Sequence, residues 1–192
     1  MKKSKLFLLP LVALLITSCS SSNSAKGTFI SNEATNYITQ ECPISDIEID
    51  VARADLVPAI LPCLGHDTFV NLAGIKTDKP MILSFWASWC TVCAEDASSF
   101  KAAYAKLNKE IGFFGIAFMD NEAESLKSSF TWKLPFASVQ DRAGNLRSIY
   151  GINGLPITLL LDKDGKIIHK ISGPVGNPTE FIKLVNDKLI SY

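Results

Sequence analysis

The sequence predicts an α/β fold, and three features carry that expectation. Residues 80–87 (PMILSFWA) form a near-continuous apolar run of strand length, which suits a strand buried on both faces. From there strand-like and helix-like segments alternate as far as residue 131. Further on, two β-rich runs flank Lys163-Asp164-Gly165, and Asp-Gly is a strong hairpin signal. A chain of 192 residues suits one domain with a substantial core.

The chain begins with Lys2, Lys3 and Lys5, followed by an apolar run from Leu6 to Ile16 that only Pro10 interrupts. Such a run is too short to span a bilayer core, which takes roughly 20 residues, and reads as a secretory signal. It ends in ITSC, where Ile16, Thr17, Ser18 and Cys19 resemble the lipobox of bacterial lipoproteins. The resemblance implies cleavage after residue 18 and diacylation of Cys19, enough for stable anchoring where one acyl chain is marginal. The expected location is therefore outside the cytoplasm, lipid-anchored to a bacterial membrane and facing periplasm or cell exterior.

Residues 19–55 read as a polar tether and an irregular lead-in, and residues 56–192 as the folded domain. LVPAILPCLG and HDTFVNLAGI suggest short extended pieces separated by Pro and Gly. After the 80–87 strand, Phe100, Tyr104, Leu107 and Ile111 recur at helical spacing, with Lys101, Lys106, Asn108 and Lys109 left to face water. GFFGIAFM predicts a second strand, and NEAESLKSSF a second helix carrying Leu126 and Phe130. PFASVQD reads as a short strand and NLRSIYG as a helical turn. The 163–165 hairpin follows, and then a terminal helix over about 178–190 with Phe181, Ile182, Leu184, Val185 and Leu189 on one broad face.

Lys plus Arg and Asp plus Glu both number 19, without the clustered cations of a nucleic-acid footprint. Loss of residues 1–18 leaves 16 basic against 19 acidic side chains. No Gly-rich phosphate loop joins a strand to a helix, and DKDG lacks the later ligands of a calcium loop.

Five cysteines are an odd count for an exported chain: Cys19, Cys42, Cys63, Cys90 and Cys93. Assigning Cys19 to lipid leaves four, which permit three pairings. Cys90 with Cys93 and Cys42 with Cys63 is preferred, because Cys42-Pro43 and Pro62-Cys63 lie in segments that read as irregular, where a staple is useful and a core is absent. A structural zinc site would need four Cys or His ligands, but Cys42 and Cys63 are far apart in sequence and His66 and His169 are isolated, each expected to face solvent. No metal is expected.

The handover from strand to helix near Cys90 sets that thiol at or beside a helix N-terminus, where backbone N–H groups and the dipole favour thiolate. Cys93 lies one turn on, able to close a disulfide with Cys90 and expected to be the more buried of the two. FWASWCTVC resembles the active-site segment of the thioredoxin superfamily, and GLPITLLLD resembles its cis-proline loop, with Pro156 as the cis residue and Leu155 offering backbone groups to a substrate strand. The resemblance covers about residue 68 to the C-terminus and is closest to membrane-anchored proteins of the TlpA and ResA type. It implies a thioredoxin-like fold: a central mixed sheet flanked by helices, with an extra β-α insertion near 112–131 and an N-terminal extension.

Three positions depart from the family pattern. Ser84 stands where thioredoxin has a buried aspartate, Val92 where many relatives have proline, and Asp96 where the TlpA and ResA type commonly has a glutamate. On a helix Asp96 shares a face with Cys93, so it is a candidate to assist deprotonation of that thiol, with Glu95 the weaker competitor and a plain first-turn helix acid the alternative. Trp89 is expected to line the approach to Cys90, and Trp86 to belong to the core.

The implied activity is thiol–disulfide exchange without a cofactor: Cys90 attacks, Cys93 resolves, and disulfides of exported proteins are reduced. By resemblance apocytochrome c is one client and a membrane thiol carrier is the electron donor. The alternatives are an oxidant or isomerase of the DsbA or DsbC kind, a tethered non-enzymatic binding module, and, more weakly, a peroxidase.

Overall fold

In a computed structural model of the protein, residues 39–191 are described. Cys19 and the leader lie outside them. Five strands form one mixed sheet, in the spatial order 138–141, 112–118, 81–86, 157–161 and 167–172. β3 (Met81–Trp86) is central and buried at every position, as its unbroken apolar sequence demands. β4 (Gly112–Phe118) runs parallel to it on one side and β6 (Ile157–Leu161) antiparallel on the other. β5 (Ser138–Asp141) pairs parallel with β4, and β7 (Ile167–Ser172) antiparallel with β6 at an edge, where its burial alternates. A separate hairpin of β1 (Ile60–Pro62) and β2 (Phe69–Asn71) precedes the sheet. The connection from β6 to β7 turns on Asp162, whose carboxylate accepts the Asp164 and Lys166 N–H groups at 2.9 Å, with Gly165 at φ 88°.

Each helix starts where its sequence supplies a cap. α1 (Thr91–Leu107) begins at Cys90, whose sulfur accepts the Cys93 N–H. α2 (Glu122–Trp132) has Asn121 accepting from Ala123 N–H at 2.9 Å, with Glu122 and Glu124 in its first turn. α3 (Arg147–Tyr150) is one turn. α4 (Pro178–Val185) pairs an Asn177 cap with proline at its start and runs into a wider turn over Asn186–Ile190. No helix among the described residues is long and apolar enough to cross a membrane.

Alternate residues of β3 divide the core. Leu83 and Phe85 join Phe118, Tyr150 and Leu159 on the face toward the small hairpin, whereas Ile82 joins Phe100, Phe181 and Val185 beneath α1 and α4. Trp86 and Ala87, at the C-terminal end of the strand, join Leu64, Leu126 and both active-site cysteines. The sheet thus delivers the site to one end of a rigid central strand.

Residues 39–55 are irregular, yet they are docked on the domain: Asp46 N–H donates to the Gly74 carbonyl at 2.8 Å, Arg53 to the Ile75 carbonyl at 2.8 Å, and the buried Asn71 amide to the Ile49 carbonyl at 2.7 Å. A Cβ at Gly74 would collide with the Asp46 carbonyl oxygen, so glycine is what lets the segment lie this close. The expectation that the Cys42–Cys63 region lacks a core is corrected. Cys63 is buried, bridges to Val139 of β5 and is disulfide-bonded to the half-buried Cys42, which packs on the main core.

Candidate active site

The sheet ends that present the site come from β3 and β6. β3 stops at Trp86, three residues cross to Cys90, and Cys90 caps α1, which starts at Thr91. Cys90 and Cys93 are joined as a disulfide, with their Cα atoms 5.3 Å apart. The Cys90 sulfur accepts the Cys93 N–H at 3.2 Å, so it sits at the positive end of a 17-residue helix. The two cysteines are equally hidden, at 6% and 5% exposure. In the disulfide state, burial does not separate the attacking from the resolving cysteine.

The Leu155–Pro156 bond is cis, and Pro156 directly precedes β6. Together with Cys93, Asp96, Ser84 and Trp86 it lines a cavity of about 10 Å³, at the lower limit for a single water. Leu155 is half-buried and packs on the core cluster that holds both cysteines.

Asp96 is buried, and both its carboxylate oxygens accept the Val175 N–H at 3.1 Å. Burial pushes its carboxyl up to about 6; the Val175 hydrogen bond works against the rise, and the charge of neighbouring Glu95 adds to it. Glu95 itself is exposed. Of the two adjacent acids, Asp96 is the one that faces the Cys93 cavity. Ser84 is buried on the cavity floor and offers a hydroxyl where thioredoxin offers a carboxylate.

Trp89 is 60% exposed, and its indole N–H donates to the Met119 carbonyl at 3.2 Å. Trp86 is core: its indole N–H donates to Ser138 Oγ at 3.2 Å and its ring meets Trp132 with centroids 5.6 Å apart. That close packing needs Gly115 on β4, where a Cβ would press on Ser138 Oγ, Phe136 and the Trp86 indole. His66 and His169 are half-buried, and the His66 Nε2 lies 3.3 Å from the Thr39 carbonyl. No three His, Cys, Asp or Glu side chains among the described residues group as a metal site.

Two residues at this end of the sheet were not singled out by sequence reasoning. Asp120 follows β4 and its carboxylate accepts from Ser88, two residues before Cys90. Asp120 and Ser88 are 32 apart in sequence, and no local pattern links them.

Residues 57–170, more than half of the chain, match the family model described as AhpC/TSA family. The chain belongs to the AhpC/TSA family. Within this AhpC/TSA chain, 97 residues are 34% identical to the thiol-disulfide oxidoreductase ResA of Bacillus thuringiensis subsp. konkukian, over 50% of this chain and 56% of that protein. Over a span of 120 residues the chain is 28% identical to the thiol:disulfide interchange protein DsbE of Pseudomonas fluorescens biotype C, covering 60% of this chain and 63% of that one. The chain thus spans about three-fifths of the curated relatives it matches. Among solved structures, the thioredoxin domain of a Bacteroides vulgatus thiol-disulfide oxidoreductase superposes with a TM-score of 0.59 at 21% identity, covering 68% of this chain and 92% of that domain. The fold of this AhpC/TSA member is thioredoxin-like.

Proposed function

We propose that the protein is an extracytoplasmic thiol–disulfide oxidoreductase that reduces disulfides of exported proteins. The observation that carries this reading is the joint placement of Cys90 at the α1 N-terminus, bonded to Cys93, beside the cis-Pro156 loop. The similarity to ResA and DsbE proteins supports it.

In the reduced protein the Cys90 thiolate attacks a client disulfide, forming a mixed disulfide and releasing one client thiolate. Asp96 then takes the Cys93 proton, directly or through a water admitted to that cavity, and the Cys93 thiolate attacks Cys90. The second client thiol leaves, and Cys90–Cys93 is recovered as the disulfide, two electrons having passed to the client. A membrane thiol carrier returns those electrons. Trp89, Leu155 and Pro156 form the client-facing surface, with the Leu155 backbone pairing to an extended client segment. Apocytochrome c is one such client. Cys19 carries the lipid that anchors the protein to a bacterial membrane, and Cys42–Cys63 is a structural staple.

The reductant reading is favoured over a DsbA-type oxidant because one 11-residue helix, α2, fills the space between β4 and β5, where that type carries an inserted helical domain. The test is covalent trapping. Cys93→Ser is expected to accumulate mixed disulfides with exported proteins and to lose disulfide reductase turnover. A Cys93→Ser protein that captures nothing, or a Cys90→Ala/Cys93→Ala protein that keeps full physiological function, defeats the proposal and leaves a binding module.

A further inference from the structure

Two consecutive residues at the end of β4 grip two consecutive residues just before Cys90. The Met119 carbonyl accepts the Trp89 indole N–H at 3.2 Å. The Asp120 carboxylate accepts the Ser88 N–H at 2.6 Å and the Ser88 hydroxyl at 2.7 Å. It also accepts the Ser125 hydroxyl at 2.7 Å and the Asn121 N–H at 2.8 Å. Asp120 is 7% exposed. Four donors converge on it, which is the complement of a charged carboxylate rather than of a neutral acid. Met119 is held at φ 50°, a left-handed conformation uncommon for a residue with a side chain. Such a backbone persists where its surroundings over-determine it.

From this geometry we infer that Asp120 is a positioning residue for Cys90: its carboxylate fixes the Ala87–Cys90 turn through Ser88, and its negative charge makes the Cys90–Cys93 couple more reducing. The inference rests on the thiol-exchange reading of those cysteines. Ser88 and Cys90 are two residues apart, so their Cα atoms are separated by at most about 7 Å. The Asp120 carboxylate, 2.6 Å from the Ser88 N–H, therefore lies within roughly 14 Å of the Cys90 sulfur, and a buried charge at that range is screened less than one at the surface. Its sign opposes the α1 N-terminus, which favours the Cys90 thiolate. Raising the free energy of the thiolate disfavours the dithiol relative to the disulfide, so the dithiol gives up its two electrons more readily.

This supplies what the neighbouring sequence lacks. Ser84 cannot place a carboxylate beneath the cysteines, and Asp96 is devoted to the Cys93 side. Asp120 puts a second buried carboxylate on the Cys90 side, delivered by β4 rather than by α1.

The experiment equilibrates the full-length protein with glutathione: the Cys90–Cys93 disulfide plus two glutathione thiols give the dithiol plus glutathione disulfide. Asp120→Asn is expected to shift this equilibrium at least about threefold toward the dithiol, because the charge opposing the thiolate is gone. Ser88→Ala keeps the carboxylate and removes one of its donors, leaving the charge less compensated, and is expected to shift it about twofold the other way, toward the disulfide. Mere loosening of the turn would move both variants in one direction. Equal constants for the parent and Asp120→Asn, or shifts of the same sign in both variants, overturn the inference. Should Asp120→Asn fail to fold, Ser88→Ala decides alone: no shift, or one toward the dithiol, overturns it. If the parent protein itself does not exchange with glutathione, the thiol-exchange reading is what fails.

Discussion

Both carboxylate oxygens of Asp96 accept the backbone N–H of Val175 at 3.1 Å, tying the second turn of α1 to the loop that follows β7. The contact holds a buried acid beside Cys93 without neutralising it.

The carboxyl of Asp96 is raised by burial from 3.8 to about 6. Between those pH values the folded protein keeps a proton that the unfolded chain has released. Stability therefore falls as pH rises through this window, and the penalty of ~3 kcal/mol is fully present above it. Asp96→Asn keeps an oxygen for Val175 and carries no charge. It is expected to be more stable than the parent at pH 7.5 and to lose that advantage below pH 4, as read by urea unfolding at both values. The same variant is expected to release mixed disulfides at least about tenfold more slowly, because Cys93 loses its proton acceptor. A variant that resolves at the parental rate removes Asp96 from the mechanism.

Cys42–Cys63 closes a long loop, with a sequence separation of 21, and ties the lead-in to the core beside β5. Replacing both by serine is expected to cost ~3 kcal/mol of unfolding free energy, while the Cys90–Cys93 equilibrium with glutathione stays within about twofold of the parent. Denaturant unfolding and the redox titration check the two halves separately.

Trp89 is 60% exposed, and its indole N–H donates to the Met119 carbonyl. Trp89→Ala should change stability by less than about 1 kcal/mol. Its cost should appear as a raised KM for protein clients, with exchange against small thiols little changed. Parental client kinetics would remove Trp89 from the client-facing surface.

A Cβ at Gly115 would collide with Ser138 Oγ and come within 2.9 Å of the Trp86 indole nitrogen. Gly115→Ala is expected to cost roughly 1–3 kcal/mol through overpacking and to break the Trp86–Ser138 hydrogen bond. Thermal unfolding and the indole N–H resonance of Trp86 report these two effects.

Much of the fold was legible because burial leaves local traces. The unbroken apolar run of β3 marks a strand covered on both faces, and the Phe100, Tyr104, Leu107 stripe marks one face of α1. The Cys90–Cys93 spacing and the GLP loop are equally local. The docking of the lead-in leaves no such trace: Asn71, Gly74 and Ile75 hold residues 46–53 through backbone and side-chain hydrogen bonds, which impose no hydrophobic period.

Short-range spacing and helix geometry specify the β-α order, the two cysteines at the start of a helix and a carboxylate one turn beyond them. Which acid faces which cysteine is instead a matter of long-range packing. Glu95 and Asp96 are neighbours in the chain, yet rotation about the helix sends one to solvent and the other under the loop after β7. Asp120 reaches Ser88 because β4 pairs in parallel with β3, so their C-terminal ends meet. Contacts between segments so far apart in sequence are set by sheet register and packing, which are written across the whole chain rather than in any one stretch of it.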